Sequence, residues 1–285
     1  MKIAVASGKG GTGKTMVSTN LAYVASRTSE VALYDLDVEE PNCRLFFESD
    51  GEAEELVKLM IPVVDKDRCG FCGVCADVCE YNAMVTLPAD VLVFPELCHS
   101  CYGCLEMCPE GAISEGFKKI GSTVVSRSGA LTLVSGELAI GQPATTALVG
   151  MTKNRVHLAA GIQLYDAPPG TSCPVIEAVR DADYVVLVSE PTRFGLHDLD
   201  LMVQTLRRLG KPYGVVINKA RDGDYRIEEY CRDNAIEVIL RIPWRMDIAR
   251  DCARGRLVAE TIPDVGALFE TMLETLRSRS PEVIA

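Results

Sequence analysis

No stretch of this chain approaches the ~20 uncharged apolar residues that span a bilayer, so no membrane-spanning helix is predicted. The N-terminus, Met1-Lys2-Ile3-Ala4-Val5-Ala6-Ser7-Gly8, lacks the cationic start and long apolar run of a secretory signal. It reads as a strand entering a loop, and a cytoplasmic protein is the expectation. Positive charge is scarce as well. The formal charge over 285 residues is −11, and between Pro62 and Phe117 nine acids face two bases, a net of −7. Nucleic-acid binding usually needs clustered Lys and Arg, so no nucleic-acid partner is expected.

What is present is an apolar rhythm. Residues 3–6 form a short apolar strand, followed by a Gly-rich loop and a helical pattern from Lys14 to Ser26. A second strand, Val31–Tyr34, ends in Asp35-Leu36-Asp37. Further apolar runs at 162–165, 184–188, 213–217 and 237–240 fit parallel strands. Leu199, Met202, Val203, Leu206 and Leu209 mark one helix among them, and Val265, Leu268, Phe269, Met272, Leu273 and Leu276 another. Buried strands alternating with amphipathic helices predict an α/β, doubly wound parallel sheet.

Residues 62–117 break that rhythm, being acidic, rich in Cys and Gly, and without a long amphipathic helix. They also repeat: Arg68-Cys69-Gly70-Phe71-Cys72-Gly73-Val74-Cys75-Ala76-Asp77-Val78-Cys79 matches Leu97-Cys98-His99-Ser100-Cys101-Tyr102-Gly103-Cys104-Leu105-Glu106-Met107-Cys108 at an offset of 29. Both copies run on to a small and an apolar residue, Ala83-Met84 and Ala112-Ile113. The predicted organisation is a main domain of residues 1–61 and 118–285 with a duplicated insert at 62–117. Residues 120–143 read as a hairpin region leading back to the main sheet.

Gly8-Lys9-Gly10-Gly11-Thr12-Gly13-Lys14-Thr15 matches the phosphate-binding pattern G-x-x-x-x-G-K-[ST], with Met16 continuing into the helix. Glycines let successive N–H groups turn inward as an anion nest, and the following helix adds its positive end. Lys14 is expected to reach the β- and γ-phosphates of ATP and the Thr15 hydroxyl to ligate Mg2+. The motif sits between an apolar strand and a helix, as that mechanism requires.

Eight of the twelve cysteines fall between Cys69 and Cys108. In a cytosolic chain such clustering points to metal or redox chemistry before disulfides. Both copies have the spacing C-x2-C-x2-C-x3-C, tighter than the paired cysteines of structural zinc sites. The spacing is that of bacterial two-cluster ferredoxins, in which the fourth thiolate of each run serves the other cluster. That likeness implies two [4Fe–4S] clusters. Cys69, Cys72, Cys75 and Cys108 would hold one, and Cys98, Cys101, Cys104 and Cys79 the other. Glu80 stands where the second copy has Pro109.

Lys9, directly after the first glycine, gives a deviant phosphate loop that resembles the MinD/ParA family of dimeric ATPases. Asp35-Leu36-Asp37 resembles that family's first switch and Asp166-Ala167-Pro168-Pro169-Gly170 its second. Val185–Pro191, Ile217-Asn218-Lys219 and Ile242-Pro243 resemble its later strand ends and the loop over the base. The likeness covers nearly everything outside the insert, in order. It implies that Gly8 to Met16 cradle the nucleotide, with Lys14 and Thr15 on phosphate and metal and Asp166 behind the Mg2+. Asp37 would orient the attacking water, Asn218 and Pro243 would meet adenine, and Lys9 would cross a homodimer interface to the partner's phosphates.

Membrane-cycling relatives end in a basic amphipathic helix, and nothing comparable follows Arg277 here, so no membrane partner is expected. Related scaffold ATPases carry a C-x-x-C near the C-terminus, whereas Cys231 and Cys252 stand alone. The whole resembles MinD-superfamily ATPases with an inserted ferredoxin, which are associated with metal-cluster or cofactor assembly. The implied function is ATP hydrolysis coupled to electron delivery or metal-cofactor assembly on a partner protein. The alternative is a nucleotide-switched binding module with structural or redox-sensing clusters. Cys43 and Cys173 follow Asp37 and Asp166 by six and seven residues. They read either as thiols presented by the switches or as small packing residues.

Overall fold

A computed structural model describes residues 1–157 and 161–279. The tail beyond Arg279, on which the expected lack of a membrane-binding helix partly rests, lies outside the described residues. Among them the strands are β1 (Lys2–Ser7), β2 (Val31–Asp35), β3 (Glu52–Val64), β4 (Met84–Leu87), β5 (Asp90–Val93), β6 (Ile113–Ser128), β7 (Leu131–Leu138), β8 (Ile162–Pro169), β9 (Tyr184–Ser189), β10 (Tyr213–Ala220) and β11 (Val238–Pro243). The helices are α1 (Lys14–Ser26), α2 (Val74–Asp77), α3 (Gly103–Glu106), α4 (Thr145–Lys153), α5 (Cys173–Val179), α6 (Arg193–Leu209), α7 (Arg226–Asp233), α8 (Met246–Ala253), α9 (Val258–Thr261) and α10 (Pro263–Arg277). None of these helices is long and apolar enough to cross a membrane.

The larger sheet runs β11-β10-β9-β1-β8-β2-β7-β6-β3. From β11 to β7 every paired neighbour is parallel. β1, β2 and β9 are runs of Val, Ile, Leu and Ala covered on both faces, as strands of a helix-flanked parallel sheet must be. Ile3, Val5, Leu33, Leu164 and Val186 pack with α1 and α10 in one core, through Val17, Leu21, Phe269 and Met272. The predicted hairpin region resolves into β6 and β7, turned at Gly129 with φ +56. β6 starts earlier than the sequence pattern suggests, because its polar first half carries no apolar alternation to mark it.

The chain divides into two compact units. One comprises Met1–Glu55, Thr123–Glu137 and Thr145–Ala285, and the other Leu56–Ser122 with Leu138–Ala144. The second unit includes the whole cysteine segment.

Inside the second unit the 29-residue repeat is a repeat of backbone conformation. Left-handed residues recur at the same offset: Phe71 and Ser100 (φ +52 and +55), Gly73 and Tyr102 (+86 and +64), Asn82 and Gly111 (+54 and +54). The short helices α2 and α3 obey the same offset. Asp65 N–H donates to Ala112 O at 2.7 Å and Phe94 N–H to Ala83 O at 2.8 Å, so each copy's approach strand bonds the other copy's exit. The copies therefore pair reciprocally, as two halves about a local twofold would.

Candidate functional site

In the first unit the register of three parallel strands builds the site. Val5 of β1 pairs with Asp166 of β8, and Asp166 pairs with Asp35 of β2. Neighbouring positions in register share a face of the sheet, so the two carboxylates lie side by side just below the loop that leaves β1. Both residues are fully buried, so this strand end is not a solvated one.

The loop between β1 and α1 leaves no room at two of its glycines. A Cβ at Gly8 would lie 2.3 Å from the Asp198 carbonyl oxygen, and one at Gly13 would lie 2.1 Å from Asn218 Nδ2. Gly13 also takes φ +94 as it enters α1, a left-handed turn that glycine adopts without strain. α1 has no side-chain cap and no acid in its first turn, so its first N–H groups remain donors for an anion.

Four donors converge on Asp166. Lys14 Nζ (2.9 Å) and Ser18 Oγ (2.7 Å) donate to Oδ1, and Thr15 Oγ1 (2.8 Å) and Cys43 Sγ (3.5 Å) to Oδ2. Ser18 was not singled out from the sequence, although its place four residues after Lys14 puts both on one helix face. Burial opposes charge on Lys14, but the adjoining Asp166 carboxylate outweighs it and lifts the ammonium above the ordinary lysine value.

Asp35 accepts from the Cys43 backbone N–H at 2.8 Å. Burial, then the neighbouring Asp166 charge, push its carboxyl up to about 7. Asp37 is half-buried, and burial lifts it to about 6 against the pull of Lys14. The two switch cysteines part company. Cys43 is fully buried with its thiol pushed well up by burial, whereas Cys173 is exposed at the start of α5. Cys43 is thus a packing residue of the acid pair and is not presented as a thiol.

Lys9 points along its own chain. Its Nζ lies 2.7 Å from Glu190 Oε1, and Glu190 also takes Lys219 Nζ at 3.0 Å. Glu190 and Lys219 carry no role in the sequence reading, and nothing local marks either as reaching the loop 181 and 208 residues away. Asn218 is buried, with Nδ2 donating to Thr12 O at 2.7 Å and Oδ1 accepting from Lys219 N–H at 2.9 Å. Pro243 closes β11 and leads to Trp244, whose ring lies 4.6 Å from the Arg221 guanidinium. Lys219, Arg221, Arg193 and Trp244 line an open cleft with Glu190.

In the second unit one pocket is lined by Cys69, Cys72 and Cys75 together with Cys108, the last thiol of the other copy. Val64, Phe71, Val74, Val91 and Ile113 supply most of the apolar part of its wall, and Glu110 also lines it. Cys104 stands among Cys98, Cys101 and Cys79, and burial followed by these three neighbours raises its thiol above the ordinary value. The crossing thiols are oriented alike. Ala83 N–H donates to Cys79 Sγ at 3.2 Å and Ala112 N–H to Cys108 Sγ at 3.3 Å, again 29 residues apart. The Tyr81 ring stacks on His99 with centroids 3.6 Å apart.

A parallel α/β sheet with a glycine loop entering a helix and an acid pair beneath it defines a P-loop nucleotide-binding protein. The chain belongs to the CobQ/CobB/MinD/ParA nucleotide binding domain family, matched over residues 3–258. It is similar to an uncharacterized protein of Methanocaldococcus jannaschii, 29% identical over 279 residues, 97% of this chain and 96% of that protein. Its fold is that of the septum site-determining protein MinD complexed with Mg-ADP from Pyrococcus horikoshii, with a TM-score of 0.60, 16% identity and coverage of 96% and 95%. A shorter likeness, 36% over 72 residues, joins it to an uncharacterized polyferredoxin-like protein of the same Methanocaldococcus, covering 25% of this chain and 32% of that one.

Proposed function

We propose that this chain is a Mg2+-dependent ATP hydrolase working as a homodimer. Its cysteine unit carries two [4Fe–4S] clusters, and nucleotide turnover is coupled to electron delivery or metal-cofactor assembly on a partner protein. The observation that carries the coupled reading is the cavity ringed by Cys69, Cys72 and Cys75 of one copy and Cys108 of the other. Three closely spaced thiols and a fourth from a distant turn, in an apolar wall, suit a cubane. The left-handed residues would free backbone N–H groups for such sulfurs. Cys98, Cys101, Cys104 and Cys79 form the corresponding second set. When bound, clusters of this kind supply one-electron chemistry.

The nucleotide reading rests on the first unit. Loop N–H groups and the uncapped start of α1 would take the phosphates, with Lys14 supplying a buried positive charge. Thr15 donates its hydroxyl hydrogen bond to Asp166, so its oxygen keeps a lone pair for Mg2+ with Asp166 behind it. Asp37, titrating near 6, is largely a carboxylate at neutral pH and accepts a hydrogen from the attacking water. Asn218 retains one amide hydrogen for the base, since its oxygen and the other hydrogen are engaged. Lys9 would leave Glu190 to reach the second copy's phosphates, giving the transition state its extra positive charge.

The test is anaerobic purification followed by assay of iron, sulfide and the rate of cluster reduction with and without Mg-ATP. About eight iron and eight sulfide per chain, with reduction that responds to nucleotide, is the expected result. Stoichiometric zinc without broad visible absorption would remove the clusters from the reading. Full clusters indifferent to nucleotide would favour the nucleotide-switched binding module instead.

A further inference from the structure

Glu190 joins two lysines that the chain brings from opposite ends of the first unit, and it holds them unequally. Lys219 donates to Glu190 Oε2 at 3.0 Å and also to the Gly11 carbonyl at 2.7 Å, while its backbone N–H bonds Asn218 at 2.9 Å. It takes φ +55, a left-handed backbone that a lysine keeps only where its surroundings hold it. Lys9 has its ammonium on Glu190 Oε1 at 2.7 Å and makes no other side-chain hydrogen bond among the described residues. Lys219 is the fixed partner and Lys9 the exchangeable one.

We infer that Glu190 is a positioning residue that latches Lys9 against its own chain and so sets the threshold at which ATP draws two copies together; this rests on the reading of Lys9 as a lysine that reaches a second copy. The carboxylate is well shielded, with 15% of its side chain exposed, and an unpaired charge there would be costly. Lys219 removes that cost. When Lys9 leaves, Glu190 still has a cation at 3.0 Å, so the latch opens without stranding a charge. The two lysines also hold Glu190 as a carboxylate: burial pushes its carboxyl up, and their hydrogen bonds and charges bring it below the ordinary glutamate value. The same residue thus ties the shape of the phosphate loop, through Lys219 and Gly11, to the availability of Lys9.

This arrangement predicts opposite effects from two neutralising substitutions. Glu190→Gln removes the charge that retains Lys9 and keeps an acceptor for Lys219. Lys219→Met leaves Lys9 as the sole cation on Glu190 and tightens the latch. The experiment is sedimentation equilibrium of the full chain with Mg2+ and β,γ-imido-ATP, with nucleotide affinity measured in parallel by calorimetry. E190Q is expected to dimerise at about threefold to tenfold lower protein concentration than the parent chain, the range for losing one partly exposed, charge-assisted contact. K219M is expected to need a higher concentration. A purely structural Glu190 would shift nucleotide affinity or solubility and leave dimerisation unmoved or weakened in both variants, which overturns the latch. If E190Q does not fold, a K219M protein that dimerises as readily as the parent overturns it equally. A parent chain that binds the analogue and stays monomeric defeats the homodimer reading itself, and the latch with it.

Discussion

The two units of this chain are held together by different means. In the nucleotide-binding unit all five residues of Val31–Asp35 and all six of Tyr184–Ser189 are buried, and the helices close over them with Leu21, Phe269 and Met272. Around the cysteines the apolar cluster consists of Cys75, Met84, Val91 and Ile113, with several of the thiols themselves packed against it. A unit of that size with so small an apolar centre lacks the burial that stabilises larger domains. The difference teaches that side-chain packing suffices for the first unit, whereas on the proposed cluster reading the second would draw its stability from what its cysteines hold.

On the cluster reading, the largest effect should come from stripping the cysteine unit of its metal. Chelation with oxidation, or serine at Cys69, Cys72 and Cys75 together, is expected to unfold the second unit while β,γ-imido-ATP still binds the first. Amide hydrogen exchange would show protection lost across residues 56–122 and retained in β1, β8 and β9. Loss of protection throughout the chain would mean that the two units do not differ in this way.

Lys14→Ala reverses the comparison. It leaves Asp166 and Asp35 as a buried acid pair without their cation, and nucleotide affinity should fall by about 100-fold or more. Iron content should be unchanged. Calorimetry against ADP together with an iron assay reads both units from one preparation, and joint loss would argue against separate support.

Asp37→Ala should bind ATP and turn it over at least about 100-fold more slowly, the scale for losing a positioned acid or base. In the parent chain, turnover should rise as pH increases through about 6, where the Asp37 carboxyl ionises. A rate that is flat between pH 5 and 7 would remove Asp37 from that role.

The smallest expected effect is on stability. The Asp35 carboxyl is raised to about 7 in the folded chain from an ordinary value of 3.8, so the folded state binds its proton more tightly than the unfolded state does. Its contribution to stability is then full below about pH 4 and is lost as pH rises toward 7. Asp35→Asn has no such proton, and its melting temperature should gain on the parent's by a few degrees across that interval. The insert contributes nothing to this difference, and a gap that is constant with pH would show that Asp35 does not carry the shift.

The parallel α/β architecture and the phosphate loop were legible because each is a local pattern. Val-rich runs of strand length, Leu at helical spacing and Gly-Lys-Thr at a strand-to-helix junction all lie within a few residues of one another. The start of β6 was not legible, since between Ile113 and Ile120 no residue is buried and no apolar alternation marks a strand. The separation of Cys43 from Cys173 was also hidden. Both follow a switch acid by a similar interval, and only packing against Asp35 and Asp166 buries the first.

The sequence by itself determined the phosphate-loop motif, the 29-residue spacing of two four-cysteine runs and the acidity of the segment that holds them. Only the tertiary structure decided that Asp35 and Asp166 meet in one buried pair and that Glu190 holds Lys9 and Lys219 together. The reason is range. Helical and strand periodicity act over a few residues, while these contacts depend on the register of strands brought together from positions tens to hundreds of residues apart. A shift of one position in β8 would turn Asp166 to the other face of the sheet and dissolve the site without altering a motif.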